Sequence, residues 1–333
     1  MKELINHITE QLLPAYPKDE ANALAWWIAE ELTGLSRTEL QFGCKGTNFS
    51  SHMQEIETII DRLLHFEPIQ YIFGHTLWNG LDLKVTPSTL IPRPETAELV
   101  ETIVNNFNRQ SIVNRKSFNR QWTVLDVGTG SGCIAIALKK AHPEWSVTGI
   151  DISSEAIEVA KENARRNNVD VHFEVADIFS DQMTKYLNKW YMVNDPYGKA
   201  DRMNEVNKEM VNEKMVNEKM VNIVVSNPPY ICESEKVSMK PNVLDYEPST
   251  ALFVPDSDPL LFYRRIAELQ TRRSPNSKQG EAQPPKPLFL FFEINEAYGP
   301  QLSAMLDSIG YTDIQIHKDI YGKDRIIEAR MAR

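Results

Sequence analysis

The sequence predicts an α/β protein: a Rossmann-like, mostly parallel seven-stranded sheet covered by helices on both faces, preceded by a small N-terminal helical domain. Three observations predict it. From Thr123 onward, short β-branched or aromatic runs alternate with helical patterns, as they do where parallel strands are joined by crossover helices. Between Lys2 and Phe66 the apolar residues instead recur at helical spacing. The chain then closes on two strand-like runs that read as a hairpin, adding antiparallel pairing at one edge of the sheet.

The elements follow in order. Leu4, Ile5, Ile8 and Leu12, then Leu24, Trp27 and Ile28, then Met53, Ile56, Ile60 and Leu63 mark the helical bundle, with Trp26 and Trp27 as core. Residues 1–67 form this domain and residues 68–94 a β-hairpin linker. In the linker, strand runs at Tyr71–Leu77 and Leu81–Val85 flank Asn79-Gly80, a strong hairpin signal. It closes on Leu90-Ile91-Pro92-Arg93-Pro94-Glu95-Thr96, where two prolines hold an arginine extended before a helix that opens with Glu95 and Glu98 in its first turn. Residues 95–333 carry strands at Thr123–Val127, Ser146–Ile150, Val171–Val175, Ile223–Ser226 and Leu288–Ile294, and the hairpin Asp313–His317 with Arg325–Ala329. Helices are expected at Cys133–Lys140, Ala156–Asn167 and Gln301–Ile309. Two insertions interrupt the rhythm, at about 181–222 and 271–287. The first contains the near-repeat Met210–Lys219, whose five-residue period is neither helical nor strand-like. The second is rich in proline. Both read as surface segments.

Composition narrows the functional classes. A formal net charge of −10 argues against holding duplex nucleic acid mainly through its phosphates, so no direct nucleic-acid binding is expected. No run of eighteen apolar residues and no signal-peptide core is present, so no membrane is expected and the location reads as cytoplasmic, with a monomer as the default. The three cysteines, Cys44, Cys133 and Cys232, form no CxxC pair and suggest neither a disulfide framework nor a metal site.

Chemistry concentrates at strand ends. Gly128-Thr129-Gly130-Ser131-Gly132 follows a strand and opens a helix, so backbone N–H groups can approach a ligand closely. The G-x-G-x-G spacing suits a nucleoside without phosphate better than a dinucleotide. Asp151, ending the next strand, is placed to accept from both ribose hydroxyls. Asp177, ending the third, could accept from an adenine amine, with Ile178 and Phe179 walling the ring. Any one of these acids could be a helix cap; together they point to adenosine, and to S-adenosylmethionine as cofactor.

The fourth strand, Ile223–Ser226, stops at Asn227-Pro228-Pro229-Tyr230, because two successive prolines cannot continue a central ladder. A planar amide or aromatic amine is a poor nucleophile, its lone pair being delocalised. The Asn227 side-chain oxygen and the Pro228 carbonyl could each accept one N–H of such a target and orient its lone pair, with Tyr230 stacking on the planar group. The catalytic candidates are therefore Asn227, Pro228 and Tyr230, with Pro229 completing the substrate-binding turn.

These motifs together give the chain a family likeness. It resembles the release factor glutamine methyltransferases, the HemK/PrmC family, over nearly its whole length. The likeness runs from Pro68–Gly74 through Leu90–Thr96, the glycine loop, Ser226–Ile231, Tyr246-Glu247-Pro248 with Ala251-Leu252, to Gly322-Lys323-Asp324-Arg325. The resemblance implies a class I methyltransferase fold. It also implies methyl transfer from S-adenosylmethionine, with S-adenosylhomocysteine as product, to the side-chain amide of the glutamine in the Gly-Gly-Gln motif of class I peptide chain release factors. By the same resemblance Gly128 to Gly132, Asp151, Ile178 and Asn227 contact the cofactor and Asn227 to Tyr230 the glutamine. The chain departs from the family pattern at Ala97, Asn222 and Ile178. Because Asn-Pro-Pro-Tyr alone is shared with adenine-specific nucleic-acid methyltransferases, that activity stands as one alternative. A non-catalytic adenosine-binding module is another.

Overall fold

The computed structural model describes residues 1–42, 51–113, 122–180, 183, 221–271 and 288–331. The two expected insertions fall mostly outside the described residues, as does Cys44.

Helices Lys2–Leu12 (α1), Lys18–Thr33 (α2), Arg37–Phe42 (α3) and Met53–Leu64 (α4) form the N-terminal unit. Their apolar stripes, Ile5, Ile8 and Leu12 against Ala21, Ala25 and Ile28 and against Ile56, Ile60 and Leu63, close into one core, with Trp26 and Trp27 packed at its margin. Gly34 ends α2 in the left-handed conformation (φ 67°) and returns its N–H to Glu30 O at 2.8 Å.

The next segment corrects one expectation. Ile69–Phe73 is a one-turn helix (α5), not the start of a strand. Pro68, at φ −58°, presets the turn, and Gly74, at φ 75°, ends it, so the β-like residues between them are bracketed into helical backbone. The strands are His75–Trp78 (β1) and Leu81–Lys84 (β2), paired antiparallel. Asn79 and Gly80 between them both take positive φ, as a two-residue type I′ turn requires. The hairpin packs Trp78, Leu81 and Leu83 into the core of the domain that follows.

That domain opens with Pro94–Val113 (α6) and continues with Thr123–Val127 (β3), Cys133–Ala141 (α7), Ser146–Asp151 (β4), Ser154–Arg166 (α8), His172–Val175 (β5), Ile223–Ser226 (β6) and Ile231–Cys232 (β7). Two short helices, Pro241–Leu244 (α9) and Ser249–Leu252 (α10), precede Phe253–Val254 (β8), which pairs with β7. Leu261–Thr271 (α11), Leu288–Glu293 (β9), Gly299–Ile309 (α12), Thr312–Lys318 (β10) and Asp324–Met331 (β11) complete it. The helix α11, its paired short strands and its two short helices were not foreseen.

The seven-stranded sheet runs β10-β11-β9-β6-β3-β4-β5. Strands β9, β6, β3, β4 and β5 are parallel, and β11 pairs antiparallel with both β9 and β10. Side chains alternate between two cores: Ile223, Val225, Phe289 and Phe291 face α6 and α7, while Val224, Leu288, Leu290 and Phe292 face α11 and α12. Burial on both faces explains why β6 and β9 read as unbroken apolar runs. The chain winds from β3 outward to β5, then returns to the other side of β3 as β6. That reversal opens a crevice beyond the carboxyl ends of β3 and β6, the topological switch point of an open α/β sheet.

Candidate active site

The loop after β3 and the turn after β6 share one cleft at this switch point, lined by residues from seven separate stretches of chain and enclosing about 1090 Å³ of space, part of it open to solvent. Gly128 (φ 70°) and Gly130 (φ 54°) lie on its floor in backbone conformations that L side chains avoid. The N–H groups of Gly128 and Thr129 both donate to Ile150 O at 2.9 Å, tying the loop to the end of β4. Thr129 and Ser131 also line the cleft. Gly132 does not; a Cβ there would stand 3.1 Å from Ala160, Ile136 and Phe173, so its smallness serves helix-to-strand packing.

Asp151 sits at the end of β4 with its carboxylate already oriented. Oδ2 accepts from Gly130 N and Oδ1 from Ser153 N, both at 2.9 Å. Burial raises its pKa, and these backbone donors oppose the shift by favouring the charged form. Asp177, Ile178 and Phe179 form the far wall. Asp177 Oδ1 accepts from Phe179 N at 2.8 Å, a turn-stabilising bond that leaves the other oxygen unengaged by it. Ile178 is nearly buried, with Arg265 Nε donating to its carbonyl at 2.7 Å, and Phe179 meets Phe262 edge-on at 5.3 Å.

On the β6 side, Asn227, Pro228 and Pro229 line the cleft. The Asn227 side-chain nitrogen donates to Thr96 Oγ1 at 3.3 Å, and the Thr96 hydroxyl donates to Glu293 Oε2 at 2.7 Å. Tyr230 lies outside the cleft wall: its ring packs against the α11 side of the core, and its hydroxyl donates to Glu293 Oε1 at 3.1 Å. Burial pushes the Tyr230 pKa far up, and the neighbouring Glu293 pushes it further, so it stays protonated.

A third wall comes from Ser88, Thr89, Leu90, Pro92 and Arg93, and from Pro248, Thr250 and Ala251 opposite them. Arg93 Nη2 donates to Glu247 Oε1 at 2.5 Å, and Ile91 N reaches Glu247 Oε2 at 3.3 Å. Burial drives the Glu247 carboxyl up while the Arg93 guanidinium beside it pulls the other way. Both stretches stood out in the sequence as motifs, yet neither was assigned a place in the site. Thr96 and Glu293 were likewise missed. Thr96 was visible within the Pro-Arg-Pro-Glu-Thr run, whereas Glu293 ends a strand of five apolar residues and carried no local signal.

The lining fits an adenosine group bearing no phosphate. Among the described residues Arg93 is the one Lys or Arg that lines the cleft, and it is paired with Glu247, so none of them offers a free cation to a pyrophosphate. A carboxylate at the end of β4 and the apolar side chains Ile152, Ile178 and Phe179 match a ribose and a flat base.

Comparisons with known proteins agree with this geometry. A family described as PrmC N-terminal domain matches residues 3–74, and one described as Methyltransferase domain matches residues 118–238. A release factor glutamine methyltransferase from Bacteroides thetaiotaomicron is 38% identical over 330 residues, covering 99% of this chain and 99% of its own. One from Flavobacterium psychrophilum is 35% identical over 329 residues, covering 98% of each chain. Another, from Streptococcus pneumoniae, is 35% identical over 269 residues, covering 80% of this chain and 79% of its own.

Proposed function

Because the chain belongs to the release factor glutamine methyltransferase family, we propose that it methylates the side-chain amide nitrogen of the glutamine in the Gly-Gly-Gln motif of class I peptide chain release factors, using S-adenosylmethionine. The observation that carries this reading is the sharing of one cleft by the glycine loop after β3 and the Asn227 turn after β6. We take residues 1–67 as the substrate-recognition domain, 68–94 as the linker and 95–333 as the methyltransferase domain. The enzyme is read as a cytoplasmic monomer that does not bind nucleic acid directly.

When bound, S-adenosylmethionine supplies an electrophilic methyl group on a sulfonium. The chain's own residues do the rest. Gly128, Thr129, Gly130 and Ser131 let the backbone come close to the cofactor, Asp151 accepts from its ribose, and Asp177 and Ile178 hold its base. The Asn227 nitrogen is engaged by Thr96, which supports Oδ1 as the free acceptor for one N–H of the target amide. The Pro228 carbonyl accepts the other. With both N–H groups held, the amide's lone pair is turned toward the methyl group, and the two acceptors stabilise positive charge as it develops on nitrogen. No strong base is needed, since the N–H becomes acidic only after transfer and its proton would then pass to solvent water. Pro229 fixes the turn, and Tyr230, anchored by its hydroxyl on Glu293, stiffens it; because its ring packs into the core and not into the cleft, the stacking role expected for it falls away.

A methyl-transfer assay with tritiated cofactor, offering release factor, DNA and RNA in parallel, tests the reading. Label is expected on the release factor alone and is expected to vanish when its motif glutamine is replaced. Label on nucleic acid alone would sink the substrate assignment. Within the site, Asn227→Ala is expected to lower turnover about a hundredfold or more while cofactor affinity changes little. Asp151→Ala is expected to do the reverse, raising the Michaelis constant for the cofactor, because a ribose contact is made equally in ground and transition states.

A further inference from the structure

Glu293 is a buried carboxylate with 1% exposure at the end of a strand whose five preceding residues are all apolar. Among the described residues no Lys or Arg forms an ion pair with it; the nearby Arg325 pairs with Asp319 at 3.1 Å. Its oxygens are spent on two hydroxyls, Thr96 at 2.7 Å and Tyr230 at 3.1 Å. A carboxylate isolated in this way is costly, and an apolar side chain would close the strand end more cheaply. Both hydroxyls belong to stretches that frame the cleft. Thr96 lies one turn into α6, and Tyr230 closes the turn after β6.

Burial drives the Glu293 carboxyl up, while the hydroxyls of Thr96 and Tyr230 and the nearby Arg325 guanidinium pull the other way by favouring its charged form. As a carboxylate Glu293 only accepts, so both hydroxyls donate to it. With its proton committed, the Thr96 oxygen can only accept from Asn227, and it does so from Nδ2 at 3.3 Å. The two ends of a side-chain amide are told apart by such a network. Glu293 therefore selects, through Thr96, which end of the Asn227 amide faces the cleft.

We propose that Glu293 is a positioning residue for methyl transfer: acting through Thr96 it fixes the Asn227 amide with its oxygen toward the target, and through Tyr230 it locks the far end of the same turn. The inference rests on the reading of Asn227 as acceptor for the target amide. Glu293 itself lines no part of the cleft and reaches it only through Thr96 and the turn that Tyr230 closes. In Glu293→Gln the new NH₂ can donate to Thr96, releasing the threonine proton toward Asn227 and favouring the reversed amide. In Thr96→Val, a substitution of similar shape, the relay is cut with no change at residue 293.

The test measures turnover and cofactor affinity for Glu293→Gln, Thr96→Val, Thr96→Ser, Asn227→Ala and the double variant Glu293→Gln/Asn227→Ala, on intact release factor. Glu293→Gln and Thr96→Val are each expected to lose about tenfold to a hundredfold in turnover, with the dissociation constant for S-adenosylmethionine within about twofold of wild type. Thr96→Ser, which keeps the hydroxyl, is expected to recover most of the loss. The double variant is expected to be no slower than Asn227→Ala, because a residue acting through Asn227 has nothing left to position. If Glu293→Gln folds poorly, Thr96→Val decides the matter by itself. Wild-type turnover in Thr96→Val, or losses that simply multiply in the double variant, would overturn the inference while leaving the role of Asn227 intact. Wild-type turnover in Asn227→Ala would instead overturn the reading beneath it.

Discussion

Asp126 lies under the glycine loop, fully buried at the carboxyl end of β3, with Oδ2 accepting from Thr129 Oγ1 at 2.6 Å. Burial pushes its pKa from 3.8 up to about 7; the Thr129 hydroxyl and the Ala135 N–H offset only part of the rise, and the charge of Asp151 adds to it. The sign for stability follows from the direction of the shift. A carboxyl whose folded pKa is raised contributes fully below its unfolded value, here 3.8, and loses that contribution as pH climbs through about 7. Between pH 6 and pH 8 the wild type is therefore expected to lose about 1 kcal/mol of stability relative to Asp126→Asn, which cannot titrate. Denaturant midpoints of the two proteins at both pH values measure this. Parallel pH dependences would mean that Asp126 stays ionised throughout.

At the scale of elements, β4 carries the glycine loop on its back. A Cβ on Gly149 would stand 2.6 Å from both the Phe173 ring and Thr129 Oγ1, joining strand packing directly to the loop. Gly149→Ala is expected to lower stability by about 1–3 kcal/mol through overpacking, and to weaken cofactor binding because Thr129 must move. Thermal melting and titration calorimetry check the two effects, and an unchanged melting temperature would show that Phe173 yields freely. The same element explains what could be read in advance. Strands β3 and β6 were legible to the residue because burial on both faces makes them short, mainly β-branched and apolar runs, ended abruptly by Gly128 in one case and Asn227-Pro228 in the other. By contrast α5 is a single turn between Pro68 and Gly74, too short to display a helical period. Helix α11 does show helical spacing in Tyr263, Ile266 and Ala267, but it follows a proline-broken stretch and was passed over. Two-residue strands such as β7 and β8 have no period to read.

Across the whole molecule, the parts of the site that sequence could reveal were those written in one continuous stretch, such as Gly128–Gly132 or Asn227–Tyr230. Arg93 and Thr96 take their meaning from Glu247 and Glu293, which lie 154 and 197 positions further along, and no local pattern encodes a partner that far away. The N-terminal helices have their own apolar core, whereas the hairpin and the segment 88–93 belong to the cleft side. A chain beginning at Pro68 is accordingly expected to bind S-adenosylmethionine within about threefold of the full chain, and to lose tenfold or more in kcat/KM on intact release factor. Equal kcat/KM would remove the recognition role from residues 1–67. The bond between Thr96 and Glu293 also sets a clock on synthesis. At about 5–20 residues per second, roughly 10–40 s separate the emergence of these two side chains from the ribosome. For all that time α6 waits without the carboxylate that orders its first turn, and for about the last third of it β6 waits without its neighbour β9. A nascent chain arrested before Leu288 would thus have made its glycine loop and its Asn227 turn while lacking the strand and the carboxylate that hold the turn in place.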